Sequence, residues 1–311
     1  MIQRFVSQVS YSFLKPVSLV IILLCLDSCG SEPAENDCCK SIDLPPGIEI
    51  KTGQGAVQVD GTTSAYYYVL DLQGKQLSYQ SLNKPLALDP GKFKLKVNNT
   101  TYPLEVIGGK LSKCATGTVV VSGTTGEYYY VLDSMDHQLS YETLGTPTSL
   151  FASSYKVRVN NSEVSVPVRL SQVTEVSSGT LIVHGITGEY YYVLDVSGRQ
   201  LNYNSSEKPL AFLPNSYSVK VNGTVVNAEI KEGAMTELTT GTVWVHGLTE
   251  EYYYALDTAG SQLNYQGLNK QLAFFPGHLR IKVNNTESAV TVIAGAVSEL
   301  ATGSVVVTGA G

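Results

Sequence analysis

Apolar and polar residues alternate along this chain in short runs of period two. The clearest run is Lys92–Asn98, KFKLKVN, where Phe93, Leu95 and Val97 alternate with Lys94 and Lys96. That period puts one set of side chains against a core and the other in water, so it predicts a half-buried strand. The pattern returns at Tyr155, Val157 and Val159, at Tyr217, Val219 and Val221, and at Leu279, Ile281 and Val283. Each run ends in Asn-Asn or Asn-Gly, residues that accept positive φ and suit tight hairpins. A second strand, such as Val164–Leu170, follows. Asp195-Val-Ser-Gly198 and Asp257-Thr-Ala-Gly260 predict turns, with the Asp side chain bonding backbone and Gly reversing the chain. No helical periodicity of useful length appears, so the reading is all-β.

The pattern is periodic on a longer scale as well. Gly55, Gly117, Gly179, Gly241 and Gly303 are spaced 62 residues apart, with no insertion between them. Tyrosine triplets recur at 66–68, 128–130, 190–192 and 252–254, each followed by Leu-Asp at Asp71, Asp133, Asp195 and Asp257. Gln-Leu-x-Tyr then ends at Tyr79, Tyr141, Tyr203 and Tyr265. Four copies result, at 55–116, 117–178, 179–240 and 241–302, while 303–311 repeats only the opening strand. Six or seven short strands fit each copy, which predicts a small antiparallel β-sandwich. A module of this size buries little and is marginal alone, so tandem packing is expected to support it. The junction TEVSSGTLIVHG at 174–185 has no Pro and only one internal Gly. It predicts a strand running from copy to copy and an elongated array on the order of 100–140 Å at about 3.3 Å per residue. The extra opening strand, Ser304–Thr308, either caps the fourth module or offers an edge to another chain.

The order of apolar strand, Tyr-x-Val-Leu-Asp, turn, PLALDPG or LAFFPG, then a Tyr-x-Val-x-Val strand resembles PEGA-type domains. It is also similar to the carboxypeptidase-regulatory and transthyretin-like sandwiches of bacterial surface proteins. The resemblance spans 55–309 and implies an extracytoplasmic accessory or binding module, not an enzyme.

The first residues depart from the repeat. Arg4 and Lys15 supply a positive end before an eleven-residue apolar run, Pro16–Leu26, too short for a membrane span of roughly 20 residues. It ends in Leu26-Asp27-Ser28-Cys29, which resembles the lipobox of bacterial lipoproteins, with Asp27 where a small neutral residue is usual. The resemblance implies removal of 1–28 and lipidation (palmitate among the chains) of Cys29, with an address in the cell envelope at the outer membrane. The alternative is an ordinary signal peptide with a chance Cys. Residues 29–54 read as a polar tether.

Composition narrows the role. The net charge of −6 argues against nucleic acid as a partner. Twenty tyrosines and 15% charged residues suit strands. The triplets supply candidate ligand-binding residues, Tyr66 and Tyr68, Tyr128 and Tyr130, Tyr190 and Tyr192, and Tyr252 and Tyr254, joined by Trp244. They form either an aromatic platform for a glycan or protein partner or the packing of a small core with hydroxyls at its rim. Lys94, Lys96, Lys156, Arg158, Lys220, Arg280 and Lys282 form a basic stripe on the wet strand face. It would bind an anionic polysaccharide or lipid headgroup, or guard against edge aggregation. The repeated Asp, with Glu127, Glu189 and Glu251, reads either as a calcium site or as turn caps, the latter fitting better because no Asp-x-Asp-x-Asp cluster exists. His184 and His246 are equivalent, while His137 and His278 recur nowhere, so no metal site, cofactor or catalytic constellation is expected. Cys114 aligns with Val176, Leu238 and Leu300. The alignment predicts an apolar core residue rather than a cross-link to Cys38 or Cys39.

Overall fold

A computed structural model describes residues 38–305. The lipobox, Cys29 and residues 306–311 lie outside them. Among the described residues every regular element is a strand.

The first module shows the plan. Its strands are β1 (Cys39–Asp43), β2 (Gly55–Asp60), β3 (Tyr66–Leu70), β4 (Gln76–Ser81), β5 (Leu86–Leu88), β6 (Gly91–Val97), β7 (Thr100–Val106) and β8 (Lys110–Ala115). One sheet runs β4-β3-β6-β7 and is antiparallel throughout. The other runs β1-β8-β2-β5. Val57, Val59, Tyr67, Val69, Leu95 and Val97 fill the space between them. Strands β2 to β8 recur at the 62-residue period in the next three modules, while β1 has no counterpart. The predicted strand at Lys92–Asn98 is thus β6, with Leu95 and Val97 fully buried. The repeating glycine is explained by crowding: a Cβ on Gly117 would lie 2.2 Å from the Arg169 carbonyl, and Gly55, Gly179 and Gly241 meet the same obstacle.

The structure departs from the expected sandwich in four places. First, β2 and β8 pair in parallel, as do their counterparts in every module. Parallel pairing sends the chain out of a module in the direction in which it entered. Second, the junction is not one unbroken strand. Thr116, Ser178 and Thr240 interrupt it because each turns its amide and hydroxyl back to a carbonyl of its own module. Ser178 N and Oγ, for example, both donate to Ser122 O, at 2.9 and 2.8 Å.

Third, part of the predicted tether is folded. β1 adds to the edge of β8 in antiparallel register, and Cys39, opposite Cys114, forms a disulfide with it. The expectation that Cys114 is an isolated core residue is corrected. Its side chain is buried, where the aligned Val176, Leu238 and Leu300 are partly buried, and only the first module has a strand beside it to supply a second sulfur. Fourth, of the expected extra opening strand only 303–305 are described; they form no strand and are exposed, and 306–308 lie outside the described residues. The fourth module already has its parallel partner strand, Val297–Ala301.

Consecutive modules dock by insertion. The segment after each β5 counterpart enters the core of the module before it. Phe151 of module 2 packs among Val59, Leu95 and Val97. Ala211 and Leu213 enter module 2 in the same way, and Ala273 and Phe275 enter module 3.

Candidate functional site

The tyrosine triplet sits on β3, whose alternation divides it between two faces. The central residues Tyr67, Tyr129, Tyr191 and Tyr253 are fully buried. Each hydroxyl donates to a backbone carbonyl 17 residues on, as Tyr191 does to Lys208 O at 2.6 Å. Burial pushes these phenols above their ordinary range. Of the two readings of the triplet, the core therefore takes the middle tyrosine and the outer face takes its neighbours.

Tyr66, Tyr128, Tyr190 and Tyr252 are about half exposed. The hairpin register places Tyr68 opposite Tyr79 on one side and Lys96 on the other. Tyr79 lies 5.8 Å from the ring of Tyr66 and 6.1 Å from that of Tyr68. Equivalent trios recur with Tyr141, Tyr203 and Tyr265. Each module thus carries three tyrosines and a cation in one patch: Lys96, Arg158, Lys220 or Lys282. The third tyrosine could have been found from sequence by folding Gln-Leu-x-Tyr back on the triplet as a hairpin.

Neighbouring patches meet at the first joint. Tyr68, Gln76 and Lys96 of module 1 face Gln138, Tyr141 and Glu142 of module 2 across a cleft of about 750 Å³. Asn99 fixes its wall by donating to Leu139 O at 2.9 Å. The cleft combines phenol faces with amide, ammonium and carboxylate groups, the mixture that hydrogen-bonds a polyol while covering its apolar face.

The other candidates fall elsewhere. Trp244 lies on the β2 counterpart of module 4, opposite Gln271 and Glu299 and 4.1 Å from the His246 ring. It therefore decorates the second sheet, away from the tyrosine patch. The basic stripe is partly neutralised: Lys156 pairs with Asp136 at 2.6 Å, Arg158 with Glu163 at 2.6 Å and Arg280 with Glu287 at 3.2 Å. The repeated Asp caps turns. Asp195 accepts from Ser197 and Arg199, which hold its carboxyl down to about 2.

Glu127 and Glu189 serve the joints instead, accepting the backbone N–H of Ala211 and of Ala273. Glu189 is pushed up to about 7 by burial, and one of its oxygens has no partner. Among the described residues no group of three or more His, Cys, Asp or Glu could hold a metal ion.

No family model matches this chain, and no curated protein does either. Among solved structures it is similar to the TIE protein of Bacillus anthracis, at 11% identity over 80% of this chain and 67% of that one, with a TM-score of 0.21. It is also similar to the major pilin subunit BcpA of Bacillus cereus, at 9% identity over 81% and 99% of the two chains, with a TM-score of 0.18. The pilus adhesin SpaC of Lactobacillus rhamnosus GG aligns at 8% identity over 78% and 38%, with a TM-score of 0.17. Scores this low identify neither family nor function.

Proposed function

We propose that this chain is a non-catalytic, lipid-anchored protein of the bacterial cell envelope, at the outer membrane, that spaces and presents repeated tyrosine faces. The observation that carries the reading is the joint. Three times over, a module plugs its neighbour's core and bonds to it through the same side chains, which suits a spacer of fixed geometry better than a chain of independent beads. The disulfide supports an exported location, since such bonds persist in oxidising compartments, and the Leu26–Cys29 lipobox supports the anchor. Cell fractionation of Cys29→Ala tests it: the wild type should pellet with membranes and the variant should not. A variant that stays membrane-bound would overturn the anchor. Small-angle scattering of the protein without residues 1–29 should give a maximum dimension on the order of 100–140 Å at about 3.3 Å per strand residue.

A second reading, glycan binding, is favoured by the cleft between Tyr68 and Tyr141. A glycan array should then show signal that Tyr68→Ala with Tyr141→Ala removes while thermal stability is kept. An array as bright for the variant as for the wild type would end that reading.

A further inference from the structure

The three internal joints use one set of contacts, and the fourth module keeps that set with no inserted segment among the described residues. At each joint an Asn donates to the carbonyl of a small residue 51 positions on: Asn98 to Ser149 O, Asn160 to Ala211 O and Asn222 to Ala273 O, at 2.9–3.0 Å. A hydroxyl two residues after the Asn accepts the N–H of the inserted large residue. Thr100 takes Phe151 N, Ser162 takes Leu213 N and Thr224 takes Phe275 N. At the second and third joints a Glu also accepts the N–H of the small residue.

Module 4 has all three groups in Glu251, Asn284 and Thr286. Asn284 donates to Glu251 at 2.8 Å, as Asn160 does to Glu127 at 2.6 Å in the filled second joint, so the polar groups of module 4 are already set in the arrangement that receives a segment. Beside them is a recess of about 500 Å³ whose apolar wall includes Val245, Ile281, Val283 and Leu300 and which residues 302–305 also line. Val97, Val159 and Val221 are buried beneath the next module, whereas their counterpart Val283 is partly uncovered.

We infer that this recess is a docking socket for a partner protein whose β-segment offers a small residue followed, two positions on, by Phe or Leu. The chemistry of that occupant is set by the three filled copies, Ser-Leu-Phe at 149–151, Ala-Phe-Leu at 211–213 and Ala-Phe-Phe at 273–275. A second copy of this chain does not fit through the corresponding segment of its first module. There the inserting position is Asp89, which is exposed and accepts from Gln54 at 3.0 Å. Driving that carboxylate into an apolar recess would strand a charge away from water.

The test uses the full chain and a fluorescein-labelled peptide of residues 269–278, NKQLAFFPGH, followed by fluorescence polarisation. Saturable binding is expected. A peptide with the second Phe changed to Asp should bind at least tenfold more weakly. Asn284→Ala and Thr286→Ala should each weaken the original peptide severalfold with the melting temperature unchanged. No saturable binding at millimolar peptide would overturn the socket, as would equal binding of the Phe and Asp peptides or affinities unmoved by both protein variants. Sedimentation at rising concentration supplies the second arm: a monomer supports a foreign partner, and head-to-tail association would assign the socket to a second copy instead.

Discussion

The hydroxyl of Tyr191 illustrates how one atom can decide a residue's place. It is buried, and the Lys208 carbonyl is its acceptor. Tyr191→Phe should therefore cost about 1 kcal/mol, the usual net value of such a bond, read as a lower denaturation midpoint with an unchanged slope. Tyr190→Ala, on the exposed face beside it, should change stability by less than about 0.5 kcal/mol. Glu189 makes a different prediction. Its carboxyl titrates near 7 in the folded joint, against an ordinary value of 4.5, because burial disfavours the charge. Between those values the folded protein binds more protons than the unfolded chain, so the joint between modules 3 and 4 loses stability as pH rises from about 4.5 to 7. Hydrogen exchange of residues 271–275 should quicken over that range beyond the intrinsic rate. Glu189→Gln should flatten the dependence; an unchanged slope in that variant would assign the effect to another group.

At the scale of the element, the inserting segments carry the joints. Phe275 is almost fully buried in the neighbouring module's core, and Phe275→Ala should cost about 3–5 kcal/mol, as large-to-small changes in cores do. The loss should show as a separate, earlier opening of residues 241–302 in hydrogen exchange. These segments were poorly legible in sequence. The alternation of Leu95 and Val97 with Lys94 and Lys96 announces a strand because burial on one face is a local consequence of the pleat. Phe275 is buried by a neighbouring module, and no local period records that. The parallel β2–β8 pair was hidden for the same reason, since hydrophobic spacing carries no direction. Internal alignment misled in one instance. It compared Cys114 with Val176, Leu238 and Leu300 as core-facing positions, yet those three are only partly buried, and β1, which covers Cys114, has no copy for the alignment to compare. The tyrosine face was half legible: alternation separates Tyr68 from Tyr67, but only the hairpin register brings in Tyr79.

For the whole molecule, repetition gives four tyrosine patches and three filled joints, with module 1 differing from module 4 through Asp89 and the recess. The disulfide adds a further asymmetry, because it closes a loop of 75 residues around the first module alone. On the chain-entropy account such a closure stabilises by about 4 kcal/mol. Cys39→Ser should therefore lower the stability of module 1 and leave the other three nearly unchanged, as followed by module-specific hydrogen exchange.

The same bond also decides where tension travels. A load entering at the N-terminus reaches Cys39, crosses sulfur to sulfur to Cys114, and continues through Thr116 into module 2. Everything between residues 40 and 113 lies off that path. At roughly 3.4 Å per extended residue, about 250 Å of chain is withheld from any pull while the bond is intact. Stretched between its ends, the oxidised protein should give three unfolding events and the reduced protein four. Redox state would thus set how far the molecule can yield before it breaks.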